Sequence, residues 1–322
     1  MLRVKLFEGM GVLAASLSVH NPSRAAHRGG IWELGDPGSI LLRDVSVRLT
    51  LAEGQPARGV RYSESVGSPW CTISGSVRIY QDSSGGERWN SHTHVTRDGD
   101  IGPTFRGYEV TADGLTRRSE RATPTVQLQG NDTVSLTMAH FWENFPKAVE
   151  ADERSITLRL FPGCSRTLHE IQGGERKRHD FTLCLAGDRV TAEPLAWARL
   201  PLVVSASPTW YRTCETLPFL IPLDVNSESD ALVQTALEGA RSFASKRERA
   251  DEYGWRHFGD LYADHEAVHA DGGFVSHYNN QYDPICGFAR QFFRTGDTRW
   301  YDLRASLARH VADIDIYHTA ED

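Results

Sequence analysis

The stretch ADHEAVHADGG, residues 263–273, holds His265, Glu266 and His269 at H-E-x-x-H spacing. On a helix, two histidines four residues apart share a face and can ligate Zn²⁺, with the glutamate between them polarising a bound water. The chemistry would be metal-assisted peptide hydrolysis, and it needs a third ligand. In the extended metzincin spacing Gly272 falls where a glycine belongs, but Val275 stands in the place of the third histidine and His277 lies two residues beyond it. No glutamate occurs between Glu266 and Glu321 to serve from a later helix, and Asp271-Gly272-Gly273 would end the helix early. The zinc peptidase is therefore the weakest reading, and no metal ligand set is expected, although a divalent ion assisting some other chemistry stays open. His92 and His94, in NSHTHV, stand at i, i+2 and read as one solvated face of a strand.

The elements that must carry such residues fall into two blocks. Residues 1–215 read as antiparallel β. Val45, Val47, Leu49 and Leu51 alternate with polar partners, as do Val134, Leu136 and Met138, then Ile156, Leu158 and Leu160, then Phe181, Leu183 and Leu185. Turn signals such as DSSGGE at 82–87, TADG at 111–114 and IQGGE at 171–175 separate them. At the start, Leu13, Ala15, Leu17 and Val19 share one face up to Asn21-Pro22, so the segment reads as a strand rather than a signal peptide, and Glu8 interrupts the apolar run. Residues 216–322 change to helical period. A helix is expected from Asn226-Ser227 to Gly239 and onward through Phe243, with Leu232 and Ala236 on its apolar face. A second should open at Pro284 and end at Gly296, and a third should carry Trp300, Leu303, Leu307, Val311 and Ile314. The last two form an antiparallel hairpin.

Composition narrows the classes. A net charge of −7 argues against nucleic acid as the main partner, while leaving room for a local basic pocket. The five cysteines are far apart and form no C-x-x-C, which argues against a thiolate zinc site or a disulfide framework and favours a reduced compartment. No run approaches the roughly 18 apolar residues of a membrane span. No membrane is expected as partner, and a cytoplasmic location is favoured.

Longer patterns cover more of the chain than the histidine motif does. HRGGIWELGDPGS at 27–39, HFWENFPKAVE at 140–150 and HEIQGGERKRHDFTL at 169–183 form one set. WRHFGDLYADHE at 255–266, SHYNNQYD at 276–283 and the stretch 292–319 form the other. Together they resemble the YetA-like, exo-rhamnogalacturonan-lyase-related family. That resemblance implies an antiparallel β-sandwich over 1–215 followed by the first helical hairpins of an α/α toroid over 216–322. It also implies that an N-terminal barrel and the rest of the toroid are absent. A chain so shortened is expected to depend on a neighbouring chain, to be inactive alone if none supplies the missing domains, and to expose Phe288, Phe292, Trp300 and Leu307. In the family pattern Asp264, His265 and Glu266 match, and His269 lies outside the motif.

The implied activity is β-elimination on a uronate-containing, rhamnogalacturonan-type glycan, with no cofactor. Such a lyase removes the proton next to a carboxylate, neutralises the charge that builds there and protonates the leaving sugar oxygen. His277, Tyr282 and His265 are the candidate base and acid. Asn279, Asn280, Tyr278 and Asp283 could bind or orient the substrate, as could Asp260, Asp264 and Glu266, while Arg256 could pair with an acidic sugar. NNQYD before Pro284 also reads as a plain helix N-terminus, and Tyr278 and Tyr282 as packing residues. Trp142, Asn144 and Lys147, with Trp32 and Asp36, are candidates for the sheet side of a cleft. Trp32 and Trp142 equally suit a buried interface between the two blocks. A non-catalytic carbohydrate-binding or scaffold chain remains the main alternative.

Overall fold

The computed structural model describes residues 1–322 except 28–33, 55, 131–132, 216, 219, 225, 262–281 and 321–322. Strands occupy the first part. They are β1 (Leu2–Phe7), β2 (Val12–His20), β3 (Ile40–Leu42), β4 (Val45–Thr50) and β5 (Gly59–Ser63). Next come β6 (Cys71–Ile73), β7 (Val77–Gln81), β8 (Tyr108–Ala112), β9 (Leu115–Ser119) and β10 (Thr125–Gln129). The last are β11 (Val134–Thr137), β12 (Lys147–Ala151), β13 (Ser155–Phe161), β14 (His169–Ile171) and β15 (Arg176–Cys184). They build a seven-stranded antiparallel sheet in the order β1-β2-β15-β11-β10-β5-β6 and a six-stranded one in the order β4-β13-β12-β7-β8-β9. β3 and β14 form a small separate pair.

The alternation read from the sequence places the core. Val60, Val126, Leu128 and Leu136 of the larger sheet meet Ile79, Val149, Ile156 and Leu158 of the smaller, and all are buried. Burying each such side chain contributes about 1.5–3 kcal/mol, so this shared layer dominates the stability of the sheets. The inward positions of β15 change character along the strand. Phe181 and Leu183 join the core, whereas Lys177 and His179, on the same face, are equally buried but polar.

Helices follow: α1 (Ala196–Arg199), α2 (Pro208–Thr213), α3 (Glu228–Gln234), α4 (Phe243–Ala250), α5 (Pro284–Thr295) and α6 (Thr298–His310). The signals at Pro284 and Gly296 act as expected. Asp283 accepts the amide of Cys286 at 3.1 Å, Pro284 fills the first turn, and Gly296 closes α5 at φ +73°. The long helix expected from residue 226 is instead two, because Gly239 turns the chain at φ +79° and Ser242 caps α4 anew. Leu232 is 71% exposed despite its helical spacing. The expectation of exposed apolar faces is also overturned. Phe288, Phe292, Trp300 and Leu307 are buried against one another and Leu261, with Phe243 and Val233 packed beside them. After α6 a π-helical turn, Val311–Asp315, brings Ile314 onto Phe161, Ile171 and Trp255, which ties the helices to the sheets.

Candidate functional site

Where β11 ends, the chain leaves the sheet in a tight turn. His140 sits at φ +53°, a conformation costly for a non-glycine residue, and its carbonyl accepts both the backbone and side-chain amides of Asn144, at 3.2 and 3.0 Å. The turn leaves an edge of β15 open, and α4 and α6 pass over the gap. The space between is a cavity of about 860 Å³. His140, Trp142, Glu143 and Asn144 line one side with Lys177, Arg178 and Asp180 of β15. Arg247 of α4, together with Arg299, Tyr301, Asp302 and Arg309 of α6, lines the other.

Three features of this cavity bear on chemistry. The first is charge: among the described residues six cationic side chains face three carboxylates, in a chain whose net charge is −7. Arg309 and Arg178 both bind Asp180, at 2.7 Å each, and Arg199 is held by Glu193 and the carbonyl of Thr123. Arg247 has no ion pair among the described residues and lies over the Phe258 ring at 5.4 Å. The second is an aromatic ledge. Trp142 packs on Tyr253 at 4.8 Å, Tyr253 stacks with Phe258, and the Arg121 guanidinium lies 4.1 Å from the Trp142 ring. Trp142 is thus half-buried where sheets and helices meet and also lines the cavity.

The third feature is an acid–base pair. His140 Nδ1 lies 3.1 Å from Glu143 Oε1, and the side chain remains 60% exposed to the cavity. Partial dehydration at the cavity mouth pulls the imidazole pKa down, but the Glu143 carboxylate and then Asp302 outweigh that and hold it above the usual histidine value. With the Nδ1 proton donated to Glu143, Nε2 carries the lone pair. His140 opens the HFWENFPKAVE stretch, whose residue types alone assign it no role. The H-x-x-E spacing of 140 and 143 was the available signal.

A smaller cavity of about 400 Å³ lies on the other side of residues 251–258. Here the reading of His92 and His94 as a strand face is corrected: they form a 3-10 turn capped by Ser91, and only His92 is exposed. His94 is buried, with Nε2 2.6 Å from Asp251 Oδ2, and Ser84 donates to the other oxygen of the same carboxylate. Asp251 is itself fully buried at φ +54°. His169 also lines this cavity, donates to the carbonyl of Pro162 at 3.1 Å and is pulled down by burial to about 4.

The residues singled out from the sequence scatter. Arg256 lines the smaller cavity, but its guanidinium binds the Glu170 carbonyl and Glu175 Oε2 at 3.2 Å and lies over Trp255, so it serves the protein rather than standing free for a sugar. Asp260 is buried 3.6 Å from His310. Tyr282 is 70% exposed, and Asp283 caps α5; neither lines the two cavities. Asp36 is buried and accepts the amides of Ala26, His27 and Gly38. Lys147, expected on a cleft wall, lies wholly in the interior, donating to the carbonyls of Asn144 and Pro146 at 2.7 and 3.1 Å. Asp264, His265, Glu266, His269, His277, Tyr278, Asn279, Asn280 and Trp32 lie outside the described residues. No group of His, Cys, Asp and Glu among the described residues has the arrangement of a metal site, and no described helix is long and apolar enough to cross a membrane.

No known protein-family model matches the chain, and no curated protein is significantly similar to it.

Proposed function

We propose that the larger cavity binds a uronate-containing glycan and that the chain is polysaccharide-lyase-like, acting by β-elimination. The finer reading of the fold, a β-sandwich followed by the opening helical hairpin of an α/α toroid, belongs to the same proposal, as does the resemblance to the YetA-like, exo-rhamnogalacturonan-lyase-related family. The observation that carries the reading is the basic cavity of an acidic chain, with a histidine–glutamate pair at its mouth. Local cationic walls concentrate anionic ligands whatever the net charge. Arg247 neutralises the sugar carboxylate as the adjacent carbon loses its proton, because it alone of the cavity arginines discussed has no carboxylate to give up. His140 Nε2 takes that proton, Glu143 stabilises the imidazolium, and Trp142, Tyr253 and Phe258 offer faces to the sugar rings.

The test is the rise in ultraviolet absorbance of an unsaturated uronate end when the chain meets acidic pectic oligosaccharides. General acid–base catalysis contributes about 10²- to 10⁴-fold, so His140→Gln should lose turnover by that factor while retaining oligosaccharide binding. Binding without turnover by the parent chain would support the carbohydrate-binding alternative instead. Stoichiometric zinc that vanishes in His269→Ala would revive the peptidase.

A further inference from the structure

Lysine supplies only four of the 35 Lys and Arg residues: Lys5, Lys147, Lys177 and Lys246. Two of the four are interior and neighbour each other. Lys147 extends from β12 to two backbone carbonyls, whereas Lys177 on β15 lines the larger cavity with its side chain 3% exposed. Its ammonium has no hydrogen-bond partner among the described residues, and the nearest carboxylate oxygen, Asp313 Oδ2, is 4.0 Å away. His179, two residues along the same face, has neither ring nitrogen partnered among the described residues. An arginine here would be a permanent cation. A lysine can give up its proton and become a nucleophile.

We propose that Lys177 is a covalent anchor whose ε-amine condenses with the carbonyl group of small anionic aldehydes or ketones entering the larger cavity. The neutral amine attacks the carbonyl carbon and forms the C–N bond. The π pair moves to oxygen, which takes the proton released from nitrogen through water. The resulting carbinolamine takes a second proton from water on its hydroxyl and expels that oxygen as water while the nitrogen lone pair completes C=N. The iminium N–H then returns a proton to water, so both nitrogen protons leave with the oxygen as one water and nothing is oxidised or reduced. Arg309 at the cavity wall draws in the anionic part of the ligand, which shares its guanidinium with Asp180. The groups around the amine set its protonation. Burial lowers its pKa most, Asp313 beyond α6 opposes this, Arg309 of α6 adds to it, and Asp180 and Glu175 on or beside β15 oppose it, leaving a value of about 8. Lys147 on β12 and His179 on β15 are themselves held below their usual values by burial and by neighbouring cations that include Lys177. A sizeable neutral fraction therefore exists in mildly alkaline solution.

The test uses the full chain, glyoxylate as probe and cyanoborohydride to trap the imine, with peptide mapping by mass. Lys177 should be modified at least ten-fold faster than exposed Lys5 or partly exposed Lys246, its rate rising through about pH 8. Uncharged propionaldehyde should label it far more slowly. Lys177→Arg should lose the label while keeping the charge, and the site map of the parent chain decides the matter even if that variant folds poorly. Modification confined to Lys5, Lys246 and the terminal amine, or reaching Lys177 only in denaturant, would overturn the proposal. No glycan is involved, so either result leaves the uronate reading to its own assay.

Discussion

Lys177 makes the stability of this protein rise where most proteins weaken. Its ammonium has a pKa of about 8 in the folded chain, lowered chiefly by burial, against about 10.4 unfolded. Between those values the unfolded chain holds the proton and the folded chain does not. Stability therefore increases with pH, by about 1.4 kcal/mol per unit. From about pH 8 to about pH 10 the gain is about 2 kcal/mol, since the slope is half developed at the folded pKa and fades near the unfolded one, and Lys147, also pushed well down by burial, adds to it in the same direction. The window closes near pH 10. Burial first, then Asp82 for Tyr80 and Glu248 for Tyr253, holds those phenols above their usual value, so unfolded tyrosines ionise first and stability falls.

Urea unfolding followed by far-ultraviolet circular dichroism at several pH values from about 7.5 to 9.5 measures the effect. With a denaturant slope of about 3 kcal/mol per molar, Lys177 alone should raise the midpoint by about 0.6 M across that range, and Lys147 adds to the climb. Lys177→Met, which keeps volume but not charge, should start more stable at pH 7.5 and climb less steeply than the parent, by the share Lys177 supplies. A midpoint that stays flat or falls in the parent chain, or parallel slopes in parent and variant, would refute the reasoning.

Two further outcomes follow from the smaller cavity. Asp251→Ala should destabilise by about 3–5 kcal/mol, since His94 and Ser84 lose their buried acceptor, whereas Asp251→Asn, which tolerates φ +54° and keeps an acceptor, should cost clearly less in the same urea titration. His169, at about 4 when folded against about 6.5 unfolded, should cost about 3 kcal/mol of stability as pH falls from above 6.5 to about 4; His169→Gln should remove that part of the acid slope, and an unchanged slope would exclude His169 as its source.

What could be read from the chain was local. Alternation marked the inward faces of β4, β11, β13 and β15, and Pro284 and Gly296 bracketed α5, because each signal is completed within a few residues. The His92 and His94 spacing misled for the complementary reason: an i, i+2 pair suggests a strand only until Ser91 caps a turn. What then buries His94 is Asp251, 157 residues away. Leu232 kept helical spacing, yet the segment packs through Val233, Ala236 and Leu237, and Leu232 faces out. Trp142 and Asn144 could be nominated by residue type. Lys147 could not be told from them, because its burial depends on β12 lying between β7 and β13.

Net charge is likewise a sum, and the cavity depends on placement. Its arginines come from β15, from α4 and α6 and from the segment between, and none is notable in its own stretch of sequence. Their partners decide which can meet a ligand. Asp180 occupies both Arg178 and Arg309, so an incoming carboxylate that uses them must displace or share a bond already made. Arg199 is enclosed by Glu193 and the Thr123 carbonyl. Arg247, resting on Phe258, has no such competitor among the described residues and stands near enough to depress the His140 imidazole. On the proposed reading, a carboxylate bound to Arg247 would remove that opposition and raise the basicity of His140. A glycan carboxylate would in that case strengthen the base it needs, which a merely basic surface would not do.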